Sequence, residues 1–192
     1  MLRFRILHRG TVSLMKDVQA AALLEFAIVL PLLMVFVVGI FDFSGAFNQK
    51  QKIEQAAQEG AIIAGAQPMS DITSGNLDPD SLHPVATAVY NSLVGSGVLP
   101  KGTCVAPGTA ANTPPSLKWT YTISGCPDDL VITIDRGWVS TSLPPVAVGT
   151  VVTVQYPYHW RFGSVIQLLF PGPNSYLTPT QVTESATVHN QM

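Results

Sequence analysis

One long apolar run dominates the pattern of hydrophobic and polar positions along the chain. Residues 20–41 contain Glu25 as their only charged side chain, and residues 26–41 contain no charge. A helix rising 1.5 Å per residue makes the longer stretch about 33 Å long, close to the ~30 Å hydrocarbon core of a bilayer. No other stretch of the sequence approaches this length. The pattern therefore predicts a single transmembrane helix over residues 20–41.

The pattern beyond the apolar run predicts that the helix continues over residues 42–66. Residues 48–66 (NQKQKIEQAAQEGAIIAGA) are rich in good helix formers and contain no proline. Ala56, Gly60 and Ala64 recur every four residues, so they form a ridge of small side chains that allows another helix to approach closely. Helix propensity alone would explain the alanines. A glycine inside a helix, however, costs about 1 kcal/mol relative to alanine, which favours a packing role for this small-residue ridge.

The remainder of the chain, residues 67–192, has the shorter periodicities of an α+β domain. The stretch SLHPVATAVYNSLVGSG predicts a short helix with Val85, Val89 and Leu93 on one side and Gly95 at its end. Four later segments alternate Thr, Val, Ile and aromatic residues between turn residues. These segments are 117–124, 129–140, 149–160 and 176–188. We therefore predict an antiparallel sheet of about four strands that packs one face on the long helix.

The charged residues predict how the chain is oriented in the membrane. Only 11% of the residues are charged and the net charge is −2, which gives no indication of nucleic-acid binding. Four basic residues precede the apolar run with only Asp17 against them, whereas ten acidic and six basic residues occur from Asp42 onward. Positive charge just before a span is typical of a cytoplasmic end. Residues 1–19 are thus predicted to be a cytoplasmic basic leader, and residues 67–192 an exported domain.

The two cysteines agree with this orientation. Cys104 and Cys126 are the only cysteines, and both lie in the predicted exported domain. A disulfide between them would persist in an oxidising compartment and would stabilise the fold by about 3 kcal/mol on the chain-entropy model. A pair of unlinked thiols is the alternative. We predict the disulfide, because no other cysteine competes and no CxxC metal motif occurs.

A cleaved secretory signal is the alternative interpretation of the apolar run. The basic start fits it, and Ser44-Gly45-Ala46 resembles a small-residue cleavage site. The apolar run, however, exceeds the 7–15 residues usual for a signal core. It also continues into a sequence typical of ordered helix, so an uncleaved membrane helix is favoured.

Residue patterns that would indicate catalysis or metal binding are not found. The sequence has no glycine-rich phosphate loop and no GxSxG motif, and its four histidines have no metal-ligand spacing. Asp128, Asp129 and Asp135 flank a predicted strand, where solvated turn acids are expected more often than an acid pair or a calcium site. His159 is interpreted as a strand-edge histidine. We predict no catalytic residue, no cofactor and no metal.

The N-terminal third resembles the TadE-like family of tight-adherence (Tad) pilus assembly proteins. The resemblance rests on Glu25-Phe26 in an apolar context, the VLPLL run that follows, the Asp42-Phe43 pair that closes the span and the AAxEGA helix at residues 56–61. The C-terminal VQYPY and LTPTQVTESATV segments are also similar to the closing strands of the family. The resemblance implies a minor pilin or pseudopilin whose pilin-like periplasmic domain is held at the cytoplasmic (inner) membrane.

The resemblance also implies partners and processing. The expected partners are the lipid bilayer, other pilins or pseudopilins, and the pilus assembly machinery. A prepilin peptidase would cut between Ala20 and Ala21, which makes Glu25 the fifth residue of the mature chain. Members of the family usually have glycine where this chain has Ala20. In such assemblies the carboxylate pairs with the free amino group of a neighbouring processed subunit, so Glu25 and Phe26 are expected to fix the axial register between helices.

Other functions stay open at the level of sequence. The first alternative is a membrane-tethered periplasmic binding or adaptor module unrelated to pili. The second is an exported hydrolase, which convergent acidic, histidine and serine side chains would favour.

Overall fold

The computed structural model describes residues 10–112, 114–140, 147–164, 167, 172 and 178–190, with side chains from residue 18 onward. The chain divides into two compact units. The first, here called the apolar-helix unit, comprises Met1–Phe43 and Arg161–Tyr176. The second, here called the α+β unit, comprises Ser44–Trp160 and Leu177–Met192.

The first helix, α1, runs over Gly10–Ala66 and contributes to both units. The predicted long N-terminal apolar helix is therefore confirmed, and it ends at the predicted residue. It begins ten residues before the apolar run, inside the predicted leader. Pro31 lies inside α1. Proline is tolerated in membrane helices because neighbouring groups satisfy the backbone carbonyl that it leaves unpaired.

The second helix, α2, spans His83–Gly95 and follows a single 3₁₀ turn at Asp80–Leu82. A proline occupies its first turn, where the missing backbone N–H costs nothing. The side that carries Val85, Val89 and Leu93 is buried, as the spacing predicts. The short predicted helix is thus confirmed.

The sheet is an antiparallel meander with the strand order β1-β2-β3-β4-β5. The strands are β1 (Ala111–Asn112), β2 (Lys118–Cys126), β3 (Asp128–Val139), β4 (Val148–Tyr158) and β5 (Thr180–His189). The last four coincide with the predicted segments. The additional strand, β1, has only two residues, which is too short for the alternation that identifies a strand. Its sequence predicts a loop. The α+β class is confirmed, with five strands in place of about four.

The core of the α+β unit is formed by one face of the sheet. Inward residues alternate with outward ones along β2, β3 and β4, as expected for a half-buried sheet. They pack with the buried sides of α2 and of the C-terminal part of α1 in one hydrophobic cluster. The largest fully buried members from the sheet are Trp119, Tyr121, Leu130, Ile132 and Ile134.

Candidate functional site

The N-terminal part of α1 exposes large apolar side chains on all sides. Leu23, Phe26 and Phe36 are 69%, 61% and 65% exposed, and the most apolar 18-residue window of this helix has no buried residue. Among the described residues, α1 is the one helix long and apolar enough to cross a membrane. A helix that is apolar all round requires an apolar environment. Nothing in the described part of the chain supplies it, so lipid or other helices must do so.

The carboxylate of Glu25 lies in this exposed stretch. Glu25 is exposed, and no hydrogen bond or ion pair to another described residue is found for its side chain. Ala20 and Ala21, on either side of the predicted scissile bond, are also helical and exposed. Ala21 precedes Glu25 by four residues, which places both on one side of the helix about 6 Å apart along its axis. The register role of Glu25 and the cleavage between Ala20 and Ala21 stay predictions.

Asp42 ends the apolar run and has a different environment. Its side chain is only 2% exposed. Its two carboxylate oxygens accept hydrogen bonds from the backbone N–H groups of Arg161 and Phe162, at 3.1 Å and 3.2 Å. A buried carboxylate is tolerated when such donors satisfy it. These bonds tie a distant segment of the apolar-helix unit to α1 immediately after Phe41.

The small-residue ridge lies inside the α+β unit. Ala56, Gly60 and Ala64 are buried in its core. A Cβ atom at Gly60 would overlap the Val89 side chain of α2 and would approach Val152 of β4 to 3.3 Å. The helix that approaches the ridge in this structure is therefore α2 of the same chain. An assembly role for the ridge is untested.

Two further glycines of α1 allow close approach to the sheet. An added Cβ at Gly45 would lie 2.5 Å from the hydroxyl oxygen of Tyr158, and one at Gly65 would lie 2.9 Å from Val188. Gln49 lies between them and donates to the carbonyl of Pro157 at 3.0 Å. The C-terminal part of α1 thus contacts β4 and β5 at several positions along its length.

Arg136 is a buried cation that caps the end of α1. It is fully buried, and its guanidinium donates to the carbonyls of Ala64 and Gln67, the latter at 3.0 Å. These carbonyls belong to the last turn of α1 and the residue after it, where intrahelical donors run out. Burial lowers the pKa of Arg136, and the charge of Asp71 opposes that shift. Arg136 therefore joins β3 to the helix end.

The disulfide is present between Cys104 and Cys126, with their Cα atoms 4.6 Å apart. The hydroxyl of Tyr90 donates to the Cys104 carbonyl at 3.2 Å, and the hydroxyl of Tyr156 donates to the Cys126 carbonyl at 3.3 Å. The bridge fixes the loop after α2 to the end of β2.

The acidic and histidine residues that were considered as catalytic or metal-binding candidates make local contacts at the ends and edges of strands. His159 is exposed and contacts Asp128 at 2.6 Å. Asp135 accepts a hydrogen bond from the backbone N–H of Gly137 at 2.9 Å. Within the described ranges, no group of three or more His, Cys, Asp or Glu residues could hold a metal ion.

Comparison with known proteins identifies the segment that holds the apolar run, Glu25 and two of the three ridge residues, Ala56 and Gly60. Residues 20–61 match the model of the TadE-like protein family. The resemblance predicted from the sequence is thereby confirmed over residues 20–61, and the family it names is one of Tad pilus-related membrane proteins with a single helix. The family is structural rather than catalytic. No curated protein and no solved structure shows significant similarity to the chain.

Sequence reasoning missed two features of these sites, the Arg136 cap and the partners of Asp42. The alternation of buried residues along β3, at 130, 132 and 134, continues to Arg136 and would have placed it inward. The donors to Asp42 are backbone N–H groups, which have no signature in the sequence.

Proposed function

We propose that this chain is a minor pilin or pseudopilin of Tad-type pilus biogenesis. It acts through helix–helix assembly of the N-terminal part of α1 in the inner membrane. The observation that carries the proposal is the coincidence of the family match with an apolar run that contains one carboxylate and whose most apolar 18-residue window has no buried residue. The N-terminus is cytoplasmic and the α+β unit is periplasmic or extracellular, as the basic residues before the span predict.

Glu25 sets the axial register between neighbouring helices in this proposal. A carboxylate in hydrocarbon costs a few kcal/mol or more, so it requires a partner. Cleavage between Ala20 and Ala21 by a prepilin peptidase would create an amino group that can serve as that partner on an adjacent subunit. Misaligned helices would leave both charges unpaired in lipid, so the pair selects one alignment. Phe26 packs beside it.

The signal-peptide alternative is less compatible with the contacts around its cleavage site. Gly45 lies within α1 and is in close contact with the Tyr158 side chain. Cleavage after Ala46 would remove Gly45, which packs closely against Tyr158, from the α+β unit. An uncleaved span retains this contact.

The proposal is tested by Glu25→Gln in cells that assemble the fibre, with Glu59→Gln as the matched control in the polar part of α1. We expect Glu25→Gln to insert in the membrane but to lose cross-links to partner pilins, whereas Glu59→Gln keeps them. Equal cross-linking in both variants would remove the register role.

The processing and topology steps have separate readouts. N-terminal sequencing should find Ala21 as the first residue, and recovery of intact Met1 alone would contradict the proposed partner of Glu25. A reporter active only in the periplasm, fused after Met192, should be active. Silence from a well-expressed fusion would reverse the orientation.

A further inference from the structure

The boundary between the apolar run and the polar part of α1 is the most unusual position of the apolar-helix unit. Asp42 follows Phe41 directly, and it is nearly inaccessible although its neighbours on the helix are exposed. Phe41 and Phe43 are 67% and 65% exposed. Both oxygens of the buried carboxylate accept hydrogen bonds from the 161–162 backbone.

The two hydrogen bonds determine the position of Arg161 and Phe162 along α1. Consecutive backbone N–H groups that share one carboxylate can do so only next to Asp42. Arg161 is exposed, and Phe162 is 37% exposed. A cationic side chain and an aromatic side chain are therefore fixed beside the residue at which the apolar run ends.

We propose that Asp42, Arg161 and Phe162 form an interfacial anchor that binds phospholipid headgroups. This inference rests on the proposed function, because it requires that residues 20–41 span the bilayer. The anchor then lies at the level of the headgroups. The guanidinium of Arg161 binds lipid phosphate, for which its planar donor arrangement is suited. Phe162, with Phe41 and Phe43, occupies the boundary between headgroups and acyl chains.

We assign lipid as the occupant because the anchor adjoins the end of the apolar run, where α1 leaves the bilayer in the proposed function. Large apolar side chains that precede Asp42 on α1, such as Phe36, Ile40 and Phe41, are exposed, whereas Val35 and Val38 are half-buried. An anionic headgroup also complements the charge of Arg161. The role of Asp42 is to hold the other two in place, since its own carboxylate is occupied by the backbone.

The experiment uses the full chain in nanodiscs of phosphatidylethanolamine and phosphatidylglycerol. A photoreactive p-benzoylphenylalanine replaces Phe162, and in separate variants Phe36 within the span or Val105, which is 77% exposed in the α+β unit. Mass spectrometry then identifies the adducts. We expect lipid adducts at positions 36 and 162 and none at 105.

Each other outcome has a defined meaning. Lipid adducts at 36 but not at 162 would overturn the anchor and leave the membrane span intact. Absence of adducts at both positions would overturn the span and the anchor together. Adducts of position 162 with a second protein chain, or equal lipid labelling at 105 and 162, would also overturn the anchor.

Two variants separate the roles within the anchor. Arg161→Gln should lower the proportion of phosphatidylglycerol among the adducts at 162 by about five-fold, the ratio that corresponds to ~1 kcal/mol per basic residue near an anionic surface. Asp42→Ala should lower the yield with both lipids, because the segment is released. An unchanged headgroup ratio in Arg161→Gln would contradict phosphate binding by that side chain.

Discussion

The two parts of α1 have the same helical backbone but differ in the size and exposure of their side chains. Residues 18–41 present large apolar side chains around most of the helix, and among them only Val35 and Val38 are half-buried. Residues 44–66 place alanine and glycine on the side that meets α2 and the sheet, and polar residues on the other side. The first part is a helix that requires an external apolar environment. The second part is a structural member of an α+β core.

The difference also shows why a glycine has different meanings in one helix. No atom of the described residues lies within 4 Å of the position of an added Cβ at Gly39, whereas Gly60 has the Val89 side chain in that space. Both glycines reduce helix propensity equally. Only Gly60 is required by packing within the chain.

The largest expected effect comes from a large side chain in place of Gly60. Gly60→Leu should destabilise the α+β unit by about 3 kcal/mol or more, because overpacking a filled core forces the neighbouring elements apart. Near-UV circular dichroism of the full chain in detergent should show the unfolding midpoint lowered by roughly 10 °C. Gly39→Leu is the matched control and should leave the midpoint unchanged. Equal effects of both substitutions would abolish the distinction between the two parts of α1.

The disulfide tests whether the α+β unit has stability of its own. Replacing Cys104 and Cys126 by serine should lower its free energy of unfolding by about 3 kcal/mol on the chain-entropy model. The far-UV helical signal of residues 18–41 in detergent should persist after the unit unfolds. Mass spectrometry of the wild type under non-reducing conditions should find the linked peptide, and two free thiols would contradict the bridge.

The cap on the end of α1 is expected to have a somewhat smaller effect. Arg136→Leu should cost about 2 kcal/mol, because it leaves the buried carbonyls of Ala64 and Gln67 without charged donors. Chemical denaturation of the full chain measures the loss. Lys118→Leu on β2, where the side chain is exposed, is the control and should change stability little. No loss in Arg136→Leu would show that water or other donors satisfy the helix end.

The smallest effect is a pH dependence at Asp71, which follows the end of α1. Burial raises the pKa of this carboxyl, but hydrogen bonds from Ser81, with the charge of Arg136, outweigh it and leave the pKa lowered. A lowered folded-state pKa stabilises the fold above the unfolded-state value of about 4 and loses that contribution as pH falls through the folded-state value. The wild type should therefore lose more stability than Asp71→Asn between pH 5 and pH 2 in denaturation curves. Equal losses of stability in the wild type and in Asp71→Asn would show that the Asp71 carboxylate makes no such contribution.

The sequence predicted those features that depend on periodicity. The buried side of α2 and the last four strands follow from spacing, because one-sided burial imposes periods of 3.6 and 2 on the side chains. The end of α1 was predicted instead from the good helix formers of residues 48–66, which contain no proline. The two-residue β1 has no period to detect. The disulfide was predictable because only two cysteines occur.

The sequence could not show which surface would cover the ridge of Ala56, Gly60 and Ala64. Small residues every four positions permit close packing with any helix, and the contact with Val89 depends on where α2 lies in three dimensions. The two hydrogen bonds to Asp42 come from residues about 120 positions away in the chain. Because backbone donors exist at nearly every residue, no pattern distinguishes these two.

The small residues on the packed side of α1 also have a consequence during synthesis of the chain. Gly60 and Gly65 leave the ribosome long before Val152 and Val188, the β4 and β5 side chains against which they pack. At about 5–20 residues per second, this face of α1 waits several seconds for its partners. Alanine and glycine expose little apolar area in that interval, so the nascent chain has little apolar surface through which it could associate with other chains. Leucines on this side of α1 would expose more apolar area in the same interval and raise the risk of aggregation before β5 is synthesised.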